Sequence, residues 1–320
     1  MQRSRMLPAP HPLFATALDD AARSPMTADL SRDRPWLRLA SFVALATLLM
    51  FAMMVAIGLA IAGFPEIQDQ LGDMAPLSEG PLRLNDESLQ VTLLAAVLGG
   101  VAFSILAAAA LIWRRRLKDF LWPARRIDVQ QFAIGVLVMA CVSVIAMPIH
   151  LATGSEWAPP IFDPQYLDRT RLTYVVAMTV GLLVAAAAEE VVFRGVLLRL
   201  TGLITRRAIL LCLINGMLFS AIHLDPDPVA FVARAVSGMV WTWAALRLGG
   251  LEFAIGAHLA NNLIIALFWA PFSEAASSRE SSWTDLGPEI LVAVITIVFV
   301  ERLARRYVDP ASLLPSRPTA

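Results

Sequence analysis

Charged side chains are scarce in this chain of 320 residues: 16% are Asp, Glu, Lys or Arg, while 58% are hydrophobic. Such a balance excludes an ordinary water-soluble domain and fits a polytopic membrane protein. Cysteine is nearly absent. Cys141 and Cys212 both fall in apolar runs, which excludes a disulfide framework and reads as two small buried hydrophobes. No excess of basic residues exists, since 26 Lys and Arg balance 26 Asp and Glu, and no nucleic-acid partner is expected. No internal repeat is visible, which argues against the many transporters built from repeats. Residues 1–36 lack any sustained apolar period and are expected to be a flexible tail. No apolar core lies close enough to the N-terminus to suggest a cleaved signal peptide.

What is abundant is long apolar runs. They cover roughly residues 38–63, 91–113, 130–152, 172–200, 208–224, 229–248, 251–270 and 289–303. The expected fold is all-α, a transmembrane bundle of about eight helices over 37–303, followed by a second tail over 304–320. Arginine distribution sets the orientation. The N-terminal tail, the 114–126 connection (Arg114, Arg115, Arg116, Lys118, Arg125, Arg126), the pair Arg206–Arg207, and Arg302, Arg305, Arg306 and Arg317 fall on one side. The opposite loops carry only Arg83, Arg169, Arg171 and Arg279. Both termini are therefore expected in the cytoplasm of a plasma (inner) membrane. Trp157, Trp269 and Trp283 near outer ends, and Trp36, Trp113 and Trp122 near inner ones, suit interfacial belts.

Three spans carry polar groups that lipid would not tolerate unpaired. The fourth reads Ala185-Ala-Ala-Ala-Glu189-Glu190-Val-Val-Phe-Arg194. Each charge near a helix centre costs roughly 2.5–3.5 kcal/mol on insertion scales. Glu190 and Arg194 are four apart and can pair on one face. Glu189 points about 100° away and must find its partner elsewhere in the chain. Phe219 and His223 share a face of the fifth span, as do His258 and Asn262 in the seventh, where Asn261 precedes Asn262.

Taken singly, each has a bland reading: a satisfied core histidine, an interhelical asparagine, a structural ion pair. Their coincidence in neighbouring spans favours chemistry. A desolvated carboxylate has its pKa raised towards the range of a general base. One histidine can share a water with it, and a second histidine with an asparagine amide can donate to a developing oxyanion. Zinc is the other option. The arrangement of two histidines four apart with Glu between them is missing, but Glu189, His223 and His258 from three helices could serve as ligands. His150, beside Pro148, and His11 in the tail are read as structural and uninformative respectively. Arg234 either lines the same cavity or snorkels. On straight helices Glu189 and His258 lie at similar depth while His223 falls nearer the outer end, so the fifth span starts later than drawn, tilts or breaks.

Glu189-Glu190-x-x-x-Arg194, Phe219-x-x-x-His223 and His258-x-x-x-Asn262 together resemble the three motifs of the CAAX protease and bacteriocin-processing family. That group of intramembrane proteases includes the type II CAAX prenyl endopeptidase, and the similarity covers roughly residues 172–270. The resemblance implies an endopeptidase acting on a protein or peptide substrate that enters from the membrane or the cytoplasmic face. Glu189, with His223, would activate the attacking water; His258 and Asn262 would hold the oxyanion. Glu190, Arg194 and Phe219 would support them. Members are often labelled metalloproteases, but the glutamate mechanism needs no metal, so no cofactor is expected, with zinc as the alternative. Two rival readings stand: a proton-coupled transporter using Glu189 and His223 as a relay, and a non-catalytic relative acting as an immunity or scaffold protein.

Overall fold

The computed structural model describes residues 12–27, 30, 33–68, 83–123, 125–152, 157–269 and 282–307. The expectations that fall on His11, Arg279, Arg317 and residues 308–320 lie outside them. Among the described residues the chain is helical with no strand. An N-terminal helix α1 (Pro12–Ala22) precedes α2 (Pro35–Ala62), α3 (Arg83–Trp113), α4 (Val129–Ala152) and α5 (Asp168–Glu190). Then come α6 (Ala208–Ala221), α7 (Pro228–Leu248), α8 (Glu252–Phe268) and α9 (Leu286–Tyr307). Helix α5 continues through a π-helical stretch, Val191–Leu197, into a last α-turn, Leu198–Thr201. This is a helical membrane bundle, and every expected apolar run is a helix.

Several boundaries differ from the sequence reading. Residues 12–22 are not a flexible tail but a helix, and Ala21, Met26 and Leu30 around it are almost fully buried. Apolar residues spaced along an otherwise polar segment dock it on α6 and α7. Against the eight expected spans, five helices among the described residues are long and apolar enough to cross a bilayer: α2, α3, α4, α5 with its extension to Thr201, and α7. Helices α6 and α8 are apolar but shorter. The 14 residues of α6 rise about 21 Å at 1.5 Å each, less than the roughly 30 Å of hydrocarbon. Helix α6 stops at Ala221 because Leu224 takes a left-handed conformation (φ 51°) and the prolines at 226 and 228 forbid continuation. Helix α9 extends past 303 to Tyr307. Cys141, read as buried, is exposed on the outer face of α4, whereas Cys212 is buried; both are free thiols.

Helix α7 has well-defined ends. Asp227 accepts a hydrogen bond from the Val229 backbone N–H (2.8 Å), Pro228 opens the helix, and Gly249 closes it at φ 68°. The strongest packing joins α4 to α8, α3 to α5 and α6 to α7. Two of these seams are built on reciprocal glycines. A Cβ on Gly135 would strike the Phe253 carbonyl, and one on Gly256 would strike the Phe132 carbonyl, so α4 and α8 meet backbone to backbone. Gly216 and Gly238 do the same between α6 and α7, with the Gly216 Cα 2.9 Å from where a Gly238 Cβ would stand. In lipid, where apolar burial between helices drives little, such close approach is what holds helices together.

Two charged clamps bind the arginine-rich end. Arg125 grips Glu252 with two hydrogen bonds (2.7 and 2.8 Å) and also donates to Gln131, fixing the start of α8 against α4. Arg247 grips Glu301 of α9 through Nε (2.7 Å) and Nη2 (3.0 Å) and reaches Asp20 of α1 at 3.3 Å.

Candidate active site

Three packed helices converge where the sequence concentrates its polar groups. Glu189 and Glu190 end the α-helical part of α5, and the π stretch begins at the next residue. Such widened turns concentrate at functional sites. Glu190 and Arg194 are fully buried and pair as the spacing predicts, Nη1 donating to Glu190 Oε1 at 3.0 Å. The other guanidinium arm donates to the Gly238 carbonyl at 2.9 Å, so the glycine seam between α6 and α7 also presents this acceptor. The guanidinium carbon lies 4.7 Å from the Phe219 ring centroid and 5.5 Å from that of Trp241. A buried cation is thus satisfied by a carboxylate, a carbonyl and two aromatic faces.

His258 of α8 completes the cluster. Its Nδ1 lies 3.0 Å from Glu190 Oε1, so Glu190 takes bonds from both Arg194 and His258. Its Nε2 lies 3.8 Å from Glu189 Oε2. That gap is too wide for a direct hydrogen bond and suits a shared intermediate donor or acceptor. Glu189 thus faces His258 of another helix without a direct bond to it. The two carboxylates differ in role: Glu190 is sealed, while the Glu189 side chain keeps 18% of its surface accessible. The Oε2 atoms of both are buried with no hydrogen-bond partner, a state that calls for a donor from solvent or substrate.

His223 is placed differently from the expectation of an imidazole beside Glu189. It lies past the end of α6, exposed, with Nδ1 2.8 Å from the Phe219 carbonyl oxygen. No hydrogen bond or ion pair joins it to Glu189. The depth mismatch seen in the sequence is not resolved by bringing His223 inward: α6 ends at Ala221 and leaves His223 on an exposed turn. Phe219 links the two imidazoles, its ring 5.0 Å from His223 and 5.9 Å from His258. Asn262 is half-buried one turn beyond His258, its Oδ1 accepting from Asn261 Nδ2 at 3.2 Å, without a bond to His258 or Glu189. Arg234 neither lines the cluster nor snorkels freely: it pairs with Asp225 of the proline turn at 2.7 Å. His150 packs edge-on against Trp269, consistent with its structural reading.

The sequence reading missed Trp241. Its indole stacks on His258 with centroids 4.1 Å apart and planes 22° apart, and it is 3% exposed. An uncharged aromatic in the middle of an apolar span carries no signal of this role, nor does Gly238.

The set Glu189, His223 and His258 considered for zinc is not brought together, since His223 lies on the exposed turn; Nδ1 of each histidine is held by an oxygen acceptor, which leaves Nε2 open to a ligand. Among the described residues no three His, Cys, Asp or Glu side chains form a metal-ligating group.

Comparison with known proteins agrees with the motifs. Residues 171–264, which contain the whole cluster, match the family described as type II CAAX prenyl endopeptidase Rce1-like. A curated relative, the uncharacterized protein YyaK of Bacillus subtilis (strain 168), is 27% identical over 172 residues, covering 50% of this chain and 55% of the relative. The chain thus spans about half the length of that relative. No solved structure matches it.

Proposed function

We propose that this integral membrane protein is an intramembrane endopeptidase that hydrolyses a peptide bond of a protein or peptide substrate with water activated by Glu189. The observation that carries the reading is the pair of adjacent carboxylates with opposite surroundings. Glu190 is fully buried and fixed by Arg194 and His258, while the Glu189 side chain keeps access to the surface and is held by no direct bond.

Glu189, as general base, removes a proton from a water as that water attacks the substrate carbonyl carbon. The proton then passes to the leaving amine, so the acid returns to its starting state. Glu190 orients the His258 ring by holding Nδ1, which leaves Nε2 directed towards Glu189, where it can hold the water or the developing oxyanion. Trp241 fixes the imidazole plane from its face. Arg194 acts through Glu190, fixing the position of that carboxylate in a buried setting. Asn262 is the further oxyanion donor, and His223, on the exposed side of Phe219, is the imidazole that meets incoming substrate. Binding of the substrate in the bilayer or from the cytoplasmic face, with both chain termini cytoplasmic, follows the arginine distribution. No step uses a metal.

Glu189→Gln keeps the shape of the side chain and removes the base. Cells carrying wild type or Glu189→Gln, compared by membrane and secreted proteomics, should differ in the processed forms of a protein substrate. The purified variant should keep its helical melting profile. Cleavage retained by Glu189→Gln refutes the mechanism, and cleavage abolished by a chelator in wild type returns zinc to the site.

A further inference from the structure

A second concave feature lies on the other side of the α6–α7 pair. Helix α7 turns Gly238 and Trp241 towards the buried carboxylates, while Val236, Met239, Val240 and Trp243 line a groove of about 570 Å³ closed by α1, α6 and α9. Its walls are almost wholly apolar. The polar exceptions, Glu301 and Arg305, are both in the last turns of α9.

Those two residues are not equivalent. Glu301 is neutralised, gripped by two bonds from Arg247 and one from Trp243 Nε1 at 2.9 Å. Arg305 is exposed, and its side chain makes no ion pair or hydrogen bond with any described residue. The groove therefore has an unpaired cation, Arg305, at its mouth and an apolar body. Along α9 it extends from Ala293 to Arg305. Twelve residues of helix span about 18 Å, close to the roughly 15 Å of hydrocarbon in one leaflet. The mouth stands at the end of the bundle where Arg247 and the α9 arginines collect, the level of lipid headgroups.

We infer that this groove holds one anionic phospholipid, an acyl chain along α9 between α6 and α7 and its phosphate on Arg305. A fully apolar ligand would leave the one uncompensated cation at the mouth without a partner. A free anion would leave the apolar body uncovered. A phospholipid of the arginine-rich leaflet satisfies both, because it carries an anionic headgroup on an apolar chain.

The test is native mass spectrometry of the full chain, released from detergent micelles containing equal amounts of phosphatidylglycerol and phosphatidylcholine with identical chains. Wild type should retain one lipid, with phosphatidylglycerol favoured about fivefold, the size expected of one arginine near a membrane surface. Arg305→Gln should still retain a lipid but lose the preference. Ala293→Trp, which fills the deep end, should lose the lipid. Ile297→Trp on the rim serves the same purpose if Ala293→Trp does not fold. Equal retention of both lipids by wild type overturns the inference, as does a bound lipid unaffected by either tryptophan. Displacement by inorganic phosphate alone would make this an anion site, and displacement by farnesylcysteine at equimolar lipid would make it an isoprenoid site; either result also refutes it.

Discussion

Arg194 offers the sharpest test of how the cluster is held. Replacement by Met keeps much of the stem volume and removes the guanidinium. Two acceptors then lose a partner: Glu190 Oε1 at 3.0 Å and the Gly238 carbonyl at 2.9 Å, in a site where both side chains are fully buried. Breaking a buried pair from one side typically costs about 3–5 kcal/mol, because a charge is left uncompensated. His258 still contacts Glu190 Oε1 and softens that loss, so the lower end, about 3 kcal/mol, is expected. For chains of 150–250 residues this lowers the melting temperature by about 6–12 °C, and by somewhat less in a longer chain. Glu190→Gln should likewise destabilise by leaving the guanidinium unpaired. The double variant Glu190→Gln/Arg194→Met removes both charges and should cost clearly less than the sum of the singles. The assay is thermal unfolding in detergent, followed by circular dichroism, for all four proteins. Additive costs, or a single Arg194→Met cost below about 0.5 kcal/mol, would show that the buried pair does not hold this site together.

Other perturbations have separate outcomes. Trp241→Ala removes the face that fixes His258 and should reduce turnover far more than substrate affinity, a split measured as kcat against KM on a cleaved substrate. Aromatic stacking of this kind contributes about 0.5–1.5 kcal/mol beyond burial. Gly256→Ala forces α8 off the Phe132 carbonyl and should destabilise by about 1–3 kcal/mol, the usual cost of overpacking, measured by the same melting assay. The Asp227 backbone N–H and the Arg234 guanidinium hold the Asp225 carboxyl below the ordinary carboxylate range. A depressed pKa contributes stability above the ordinary value, about 3.9, that is lost as pH falls through the depressed one. The melting-temperature difference between wild type and Asp225→Asn should therefore persist at pH 6 and close below about pH 4.

The helices and the cluster were legible to different degrees. Apolar runs of 20 or so residues announce themselves, because lipid accepts only helices whose backbone is internally satisfied. The pairing of Glu190 with Arg194 followed from helical spacing alone, and so did the lack of a partner for Glu189 within its own helix. Three things were not legible. Helix α1 is short and lies in a tail without a sustained apolar run, and its docking depends on a surface that α6 and α7 create only once folded. Trp241 and Gly238 serve the site through a ring face and a carbonyl, which no charge pattern reveals. The placement of His223 turned on where α6 ends, a boundary set by the left-handed Leu224 and two prolines, while the hydrophobic run continued past it.

Arg247 has a consequence for the chain as a whole. It takes one carboxylate from near the beginning, Asp20, and another from near the end, Glu301. The first and last described helices are thereby fastened to a single guanidinium, and the polypeptide closes on itself like a belt on a buckle. Loss of that one side chain would therefore release α1 and α9 from each other at the same time.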